Sequence, residues 1–272
     1  MYGNIGTDVT HRAANPWVGH ECGGKACTPL RFFNALPRDV SLSADGTVVH
    51  VRAPPELKAL RATDGPTATV AETALQCGAR TIVSKDLRAA EFVVTLNVSE
   101  LARGATIGIF LLASPGMEEV VFVGVNASDV FVDTTRSSQN RSLFNESFRQ
   151  VLTAPLGNPK SGVLQLQVFL DETVIEVFAS DCVCSSSDAT RSERARPSRD
   201  KCDCVSSQSE VALAVTALAF PGGSSAPSGS ATSSGLFATC GGGGGGGSAS
   251  ATASASVWAL DGAPVVDATR RG

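Results

Sequence analysis

The chain of 272 residues carries 22 Lys and Arg against 26 Asp and Glu, which gives a net charge of −4, and 43% of its residues are hydrophobic. This balance excludes a basic nucleic-acid-binding protein as the default, so we expect no nucleic-acid partner. The longest apolar runs, 107–113 and 211–220, are much shorter than the roughly 20 residues of a membrane-spanning helix, so no membrane span is predicted.

Residues 1–32 are rich in turn-forming residues and predict an irregular lead-in. A short helix is predicted over 55–60, because Pro55 suits a first helical position. Beyond it, apolar and polar residues alternate, which is typical of half-buried strands. The predicted strands of this part are 91–98, 106–113, 119–125, 130–133 and 163–170.

The strand at 163–170 is predicted to form a tight hairpin with 174–179 through a two-residue Asp-Glu loop. We expect Leu164, Leu166, Val168 and Leu170 to form one apolar face, and Val174 and Phe178 to pack against the opposing sheet as well. Glu176 shares the face of Val174 and Phe178. If that face is buried, the carboxylate needs a partner, for which Arg136 and Arg149 are candidates.

Further strands are predicted at 210–220 and 256–260. No stretch after residue 65 shows a sustained helical stripe, so crossover helices between parallel strands are excluded. Many short strands at close spacing predict an all-β fold, an antiparallel β-sandwich of the jelly-roll or concanavalin type.

Two inserts are predicted to interrupt the sandwich, at 181–209 and 221–256, the latter with seven consecutive Gly. Their Ser- and Gly-rich composition predicts mobile segments. The first insert contains Cys182, Cys184, Cys202 and Cys204 in two Cys-x-Cys pairs. Three interpretations stay open for these cysteines: disulfides, a zinc site, or no defined role.

Carboxylates are the residues that glycosidic bond hydrolysis requires, and Asp133, Asp171, Glu172 and Glu176 are the candidates. Surface charge and turn chemistry is the favoured interpretation for each of them. The three His residues, at 11, 20 and 50, are too scattered for a His-based site. We therefore assign no catalytic, cofactor-binding or metal-binding residue, and we expect no cofactor.

Four of the eight Asn residues lie in Asn-x-Ser sequons and are candidate N-glycosylation sites: Asn97, Asn126, Asn140 and Asn145. Together with eight Cys, they favour the secretory pathway, with an extracellular or vacuolar location. The first residues lack the basic start and apolar stretch of a signal peptide. We therefore expect a further N-terminal part.

Several stretches together resemble glycoside hydrolase family 32, the invertase, inulinase and levanase group. LPRDVSL at 36–42 and PELKALR at 55–61 are similar to the segment that follows the catalytic domain in this family. VDTTRSS at 132–138 and FLDETVIEVFA at 169–179 are similar to a strand and a hairpin of its C-terminal domain. The Trp in 257–260 lies where the closing strand of the family has one.

The resemblance implies that residues 33–265 form the C-terminal β-sandwich and that 1–32 are a remnant of the linker from a catalytic domain. In the family, catalysis takes place in an upstream five-bladed propeller, whose Asn-Asp-Pro-Asn and Arg-Asp-Pro motifs have no counterpart here. Glu21-Cys22 matches the Glu-Cys acid/base motif only by coincidence, because Gly23 follows where the family has Pro.

The predicted function is thus that of an accessory module of a glycosidase acting on sucrose or fructans, inactive by itself. Its expected partners are the catalytic propeller and a fructose-containing carbohydrate. The alternative is a stand-alone extracellular sandwich that binds carbohydrate or mediates adhesion.

Overall fold

The computed structural model describes residues 35–43, 45–99, 101–138, 150–156, 162–171, 174–182, 232–240 and 251–260, and the backbone of the short strands outside these ranges. In chain order, these residues form β1 (Asn4–Gly6), β2 (Glu21–Cys22), β3 (Lys25–Ala26), β4 (Phe32–Asn34), β5 (Asp39–Leu42), β6 (Val49–Arg52), a 3₁₀ helix (Pro55–Leu60), β7 (Ala68–Leu75), β8 (Arg80–Lys85), β9 (Ala89–Asn97), β10 (Thr106–Ala113), β11 (Val121–Val125), β12 (Asp129–Asp133), β13 (Val151–Pro155), β14 (Val163–Asp171), β15 (Val174–Asp181), β16 (Val183–Cys184), β17 (Cys202–Asp203), β18 (Ala212–Leu218), β19 (Ser233–Thr239) and β20 (Ala251–Ala259). No helix in the described ranges is long and apolar enough to cross a membrane.

Most strands belong to two six-stranded antiparallel sheets. Sheet I has the order β18-β15-β14-β9-β20-β7, and sheet II has the order β13-β12-β11-β10-β19-β8. The remaining strands form two-stranded pairs, β1 with β4, β2 with β3, β5 with β6, and β16 with β17. The strands from β7 to β10 cross from one sheet to the other at each connection, whereas β10 to β13 pair in successive hairpins, as in sandwiches.

The hydrophobic core lies between the two sheets. Sheet I contributes fully buried side chains such as Phe92, Val94 and Leu166, and sheet II contributes Ile109 and Val123. Along β9 and β14 these side chains alternate with outward-facing ones, because successive residues of a strand point to opposite faces. The predicted antiparallel β-sandwich is therefore confirmed, and so is the short helix at 55–60, which is of the 3₁₀ type.

The predicted hairpin of β14 and β15 is confirmed with a shift of one residue in its loop. Asp171 pairs with Val174, so the two connecting residues are 172 and 173, which lie outside the described residues. Leu164, Leu166, Val168 and Leu170 are 0% exposed on the inner face, as expected.

The face of β15 was predicted wrongly. Ile175 and Val177 point into the core, whereas Glu176 and Phe178 lie on the outer face of sheet I. Both faces of β15 carry apolar residues, so alternation alone does not identify the inner one. The outer face is buried all the same, because another segment of the chain covers it.

The prediction of an insert at 221–256 is corrected as well, because this range contains β19 and the first part of β20. β19 lies between β10 and β8, and its Leu236 is fully buried. The sequence of β19, SSGLFAT, is too short of large apolar residues to show a strand pattern. β7, β8 and β13 were also not predicted, since their residues are largely exposed on one or both faces.

The remaining parts of both predicted inserts lie largely outside the described residues, so their mobility stays a prediction. In the first insert, β16 pairs with β17 and places Cys184 opposite Cys202 in the backbone register.

Candidate functional site on the outer face of sheet I

The outer face of sheet I is covered by residues 35–61, here called the leading segment. This segment comprises β5, β6 and the 3₁₀ helix, and six residues connect it to β7. The face that it covers, here called the anchor surface, consists of six outward-pointing residues of β9, β14, β15 and β20: Glu91, Gln167, Phe169, Glu176, Phe178 and Trp258.

Glu176 holds the beginning of the leading segment. Its Oε1 accepts a hydrogen bond of 2.7 Å from the backbone N–H of Leu36, and its Oε2 accepts one of 3.0 Å from Nη2 of Arg38. Glu176 is only 2% exposed, so the ion pair is shielded from solvent on the carboxylate side. Arg38 replaces the expected partners: Arg136 donates instead to the carbonyl of Met117, and Arg149 lies outside the described residues.

Glu91 holds the end of the leading segment. Nε and Nη2 of Arg61 donate to its two carboxylate oxygens at 2.7 and 2.8 Å, a bidentate arrangement. Nε2 of Gln167 donates to the same carboxylate at 2.7 Å. The guanidinium carbon of Arg61 also lies 3.7 Å from the ring centroid of Trp258, so the cation is held by a charge and by an aromatic face.

Between the two carboxylates lies a small apolar cluster. Leu57 of the 3₁₀ helix packs against Phe169 and Phe178, whose rings meet edge to face with centroids 6.0 Å apart. Leu36 and Leu260 contact this cluster from its margin. The leading segment is thus held by an apolar contact flanked by two ion pairs whose carboxylates are buried.

We expect Phe178→Leu to lower the free energy of unfolding by about 1–2 kcal/mol, since it removes the edge-to-face contact and leaves Leu57 poorly packed. Urea denaturation of the full chain measures this loss. An unchanged midpoint would show that the leading segment does not pack on Phe178 in solution.

The anchor surface is not arranged for general acid–base chemistry. Both oxygens of Glu176 and of Glu91 are occupied by fixed donors. Asp133, at the end of β12, accepts hydrogen bonds from the N–H and Oγ1 of Thr135 at 2.9 and 2.6 Å and closes a turn. Asp171 is exposed, and Glu172 lies outside the described residues. The structure therefore separates Asp133, in sheet II, from Asp171 and Glu176 of sheet I. Asp171 and Glu176 lie on paired strands and share the outer face, but both carboxylate oxygens of Glu176 are held by Leu36 and Arg38.

A small cavity separates β6 from the anchor surface. It has a volume of about 30 Å³, and its lining includes Val51, Arg52, Ala53, Gln165, Gln167 and Phe178. This is room for about one water molecule, whereas small-molecule pockets measure roughly 300–1,000 Å³. The cavity is therefore too small for a sugar ring.

The described cysteines form disulfides. Cys77, in the turn between β7 and β8, is bonded to Cys240 at the end of β19, with 5.3 Å between the Cα atoms. Cys182 is also disulfide-bonded, which at this residue favours the disulfide interpretation over a zinc site. Among the described residues, no three His, Cys, Asp or Glu side chains come together as a metal site would require.

Asp45, in the turn of the β5–β6 hairpin, has the largest pKa shift among the described residues. Hydrogen bonds from the Ser43 hydroxyl and from the hydroxyl and N–H of Thr47 lower the pKa of Asp45 from 3.8 to about 2. Because the folded pKa is the lower one, this stabilisation is present above pH 3.8 and is lost as the pH falls through about 2.

We therefore expect an NMR titration of the Asp45 carboxyl carbon to give a midpoint near pH 2. Ser43→Ala should move the midpoint upward, since the Ser43 hydroxyl is the strongest of these donors. A parent midpoint at the ordinary value of 3.8 would contradict the hydrogen bonding of this turn.

Sequence reasoning missed the cations of the anchor surface. Arg38 and Arg61 fall within stretches quoted only for their resemblance to a family, and Glu91 was given no role beyond starting the predicted strand 91–98. The available signal was that Glu91 is the one charged residue of its strand and lies next to Phe92. A charge at such a position is rarely buried unless it is paired.

Comparison with known proteins identifies the family. The model of the glycosyl hydrolases family 32 C-terminal domain matches residues 56–258 of the 272, about three quarters of the chain. The chain belongs to this family. The family 32 C-terminal domain begins, by this match, at the 3₁₀ helix and ends in β20, so it includes Arg61, Glu91 and Glu176.

Among curated proteins, this family 32 domain is 34% identical to the extracellular exo-inulinase of Aspergillus awamori over 89 residues, which are 32% of this chain and 16% of that enzyme. It is 30% identical to the extracellular exo-inulinase inuE of Aspergillus niger over the same length. The aligned region is thus about one sixth of the length of these relatives.

Solved structures show the same fold. The exo-inulinase of Aspergillus awamori superimposes with a TM-score of 0.59 at 19% identity, covering 87% of this chain and 37% of that one. Fructan 1-exohydrolase IIa from Cichorium intybus superimposes with a TM-score of 0.56 at 15% identity, covering 84% of this chain and 41% of that one. The chain therefore spans about two fifths of these enzymes.

Proposed function

We propose that this family 32 domain is the accessory β-sandwich of a β-fructofuranosidase-type glycosidase, and that it holds a catalytic propeller in a fixed position without taking part in hydrolysis. The observation that carries the proposal is the attachment of the leading segment to the anchor surface. Two ion pairs, with buried carboxylates at Glu176 and Glu91 and partly buried arginines, fix the segment at both ends. A domain joined before Leu36 would therefore be attached at a defined point and not through a mobile linker.

The proposed substrate is a fructose-containing carbohydrate, sucrose or a fructan, bound by the propeller. The names of the relatives support this class, since they are exo-inulinases and a fructan exohydrolase. Within the described residues the anchor surface has neither an accessible carboxylate pair nor a cavity of sugar size, which agrees with a role other than catalysis.

A chimera tests the proposed role. The full chain would replace the C-terminal domain of the Aspergillus awamori exo-inulinase. The melting temperature of the catalytic part would be measured in this chimera and in the catalytic part alone. We expect the chimera to melt at a higher temperature than the catalytic part alone, because domains that bind one another stabilise the folded state. Equal melting temperatures would contradict the proposal.

Measurements on the chain alone separate this role from the alternative of a stand-alone binder. We expect no release of fructose from sucrose or inulin, and no heat of binding when inulin is titrated into the protein. Hydrolysis that disappears in Glu21→Gln would overturn the accessory role. Saturable binding of inulin by the isolated chain would favour the alternative.

We propose an extracellular or secretory-pathway location, including the vacuole. The Cys77–Cys240 disulfide joins two exposed residues, and such bonds persist in oxidising compartments. The exo-inulinase relatives are described as extracellular.

We propose Asn126 and Asn97 as N-glycosylation sites, while Asn140 and Asn145 lie outside the described residues. Asn126 occupies the loop between β11 and β12, where its Oδ1 accepts hydrogen bonds from the N–H and Oγ of Ser128 at 2.8 and 3.1 Å. Asn97 makes the same contacts with Ser99, at 3.2 and 2.6 Å. Asn97 and Asn126 are both partly exposed and each is followed by an exposed sequon serine, so a glycan on either asparagine would extend into solvent.

We expect protein secreted from a eukaryotic host to carry a glycan on Asn126 that a peptide N-glycosidase removes, as seen by mass spectrometry of the tryptic peptide. Ser128→Ala should abolish this glycan and leave the glycan of Asn97 in place, so the glycan of Asn97 is the matched control. An unmodified Asn126 in secreted parent protein would contradict the assignment.

A further inference from the structure

The two Cys-x-Cys motifs lie at two strands that pair with each other. β16 and β17 are antiparallel, with Val183 opposite Asp203 and Cys184 opposite Cys202. The cysteines of one motif are two residues apart, so in an extended strand both fall on the same face. The pairing of β16 with β17 therefore brings the two motifs alongside each other.

The same register aligns the remaining two cysteines of the motifs. Cys182 precedes Val183 directly, and Cys204, which lies outside the described residues, follows Asp203 directly. Antiparallel strands run in opposite directions, so one further residue pair sets Cys182 opposite Cys204. The register thus predicts two cysteine pairs, separated by the pair of Val183 and Asp203.

Of these four cysteines, Cys182 is the one whose side chain the structure describes. Cys182 is disulfide-bonded and 0% exposed, and its backbone N–H donates to the carbonyl of Val163 on β14 at 2.9 Å. Cys77 and Cys240 are bonded to each other and are not its partner. The partner of Cys182 is therefore one of the other cysteines: Cys22, Cys27, Cys184, Cys202 or Cys204.

The geometry of a disulfide selects cysteines that face each other directly. Directly opposite residues of antiparallel strands have Cα atoms about 4.5–5.5 Å apart, within the range of roughly 4.4–6.8 Å that a disulfide spans. Diagonal neighbours are roughly 7–8 Å apart, which is beyond this range. Residues two apart in one strand have Cβ atoms about 6.6 Å apart, whereas a disulfide needs roughly 3.5–4.5 Å.

We propose that Cys184 is bonded to Cys202 and Cys182 to Cys204, so that two neighbouring disulfides clamp β16 to β17. Each bond forms by exchange with a thiol–disulfide oxidoreductase in its disulfide form. Two cysteine thiols become one disulfide, and the disulfide of the oxidoreductase becomes two thiols. This chemistry belongs to the oxidising compartments of the secretory pathway.

The clamp closes the insert at its base. β15 leads into β16, and after the insert β18 returns to pair with β15, with Ser180 opposite Ala212. Because the clamp joins the two ends of segment 185–201, the length of this segment does not change how far apart the two ends lie. The clamp thus keeps the chain before and after the insert together where β18 pairs at the edge of sheet I.

A zinc site is the competing arrangement of the same four residues, because two close pairs of cysteines can bind Zn²⁺ as thiolates. The disulfide at Cys182 argues against this arrangement, since a metal ligand must be a thiolate and a disulfide sulfur is not one.

Peptide mapping of the full chain tests the proposed pairing. Protein secreted from a eukaryotic host would be blocked with a maleimide at mildly acidic pH, which slows thiol–disulfide exchange, and digested with a protease that cleaves before aspartate. The peptides that begin at Asp181, Asp200 and Asp203 contain, in this order, both cysteines of the first motif, Cys202, and Cys204. We expect these three peptides to be joined before reduction and separate after it.

Two variants distinguish opposite from diagonal pairing. Cys184→Ser should free Cys202, which should then carry at least tenfold more maleimide than Cys204. Cys182→Ser should give the reverse distribution. Ser185→Ala is the matched control, because it changes the residue next to the motif and keeps every cysteine. It should leave all four cysteines unlabelled.

Maleimide on Cys204 in Cys184→Ser would show diagonal pairing and overturn the proposal. A peptide that joins Cys182 to Cys22 or Cys27 in the parent protein would overturn it as well. If the four cysteines of the parent are labelled after denaturation and the native protein contains stoichiometric zinc by elemental mass spectrometry, the motifs form a zinc site and the clamp is wrong.

Discussion

Replacing Arg61 by leucine is expected to lower the free energy of unfolding by about 3–5 kcal/mol, because it leaves a buried carboxylate without its cation. Glu91 is 0% exposed, and Arg61 supplies two of the three hydrogen bonds described for it. Gln167 would remain as a single neutral donor, which does not offset the cost of removing a charge from water. Urea denaturation of parent and variant measures the difference.

Two further variants separate the ion pair from general effects at this position. Arg61→Leu/Glu91→Leu should recover a large part of the loss, since apolar pairs of similar volume often replace buried ion pairs at little cost. Arg80→Leu, at an exposed position of β8, should change stability by less than about 0.5 kcal/mol. If Arg61→Leu and Arg80→Leu have equal effects, Glu91 does not need its cation and the anchor surface is not held by charge.

Removing the Cys77–Cys240 disulfide with Cys77→Ser/Cys240→Ser is expected to cost about 4–5 kcal/mol. The bond joins residues 163 positions apart, and it connects the turn after β7 of sheet I to β19 of sheet II. In the chain-entropy description, so long a loop removes many conformations from the denatured ensemble. The denaturant dependence of the unfolding free energy should also become steeper, because the variant unfolds to a more expanded chain.

The measurement is the midpoint of urea denaturation under non-reducing conditions. Gln76→Ser is the matched control, because it changes the same exposed turn and keeps the disulfide. Its midpoint should equal that of the parent. If Cys77→Ser/Cys240→Ser has the same midpoint as the parent, the disulfide does not restrict the conformations of the denatured chain.

The sequence by itself determined the fold class and the family. Alternation at 91–98, 106–113 and 163–170 predicts strands that the structure shows at nearly the same residues, because a period of two follows from local backbone geometry. The hairpin around Asp171 was predictable for the same reason, since its two strands are neighbours in the chain. The resemblance to family 32 rested on other short stretches, among them 132–138 and 169–179, and the family match confirms it.

Only the tertiary structure decided which groups meet. Glu176 takes its cation from Arg38, 138 residues away, and Cys77 is bonded to Cys240 across the sandwich. Neither choice leaves a local pattern, because each depends on how distant strands are ordered in the sheets. The inner face of β15 was likewise decided by packing, since Ile175 and Phe178 are apolar on opposite faces. The leading segment buries the outer one, and that contact exists only in the folded chain.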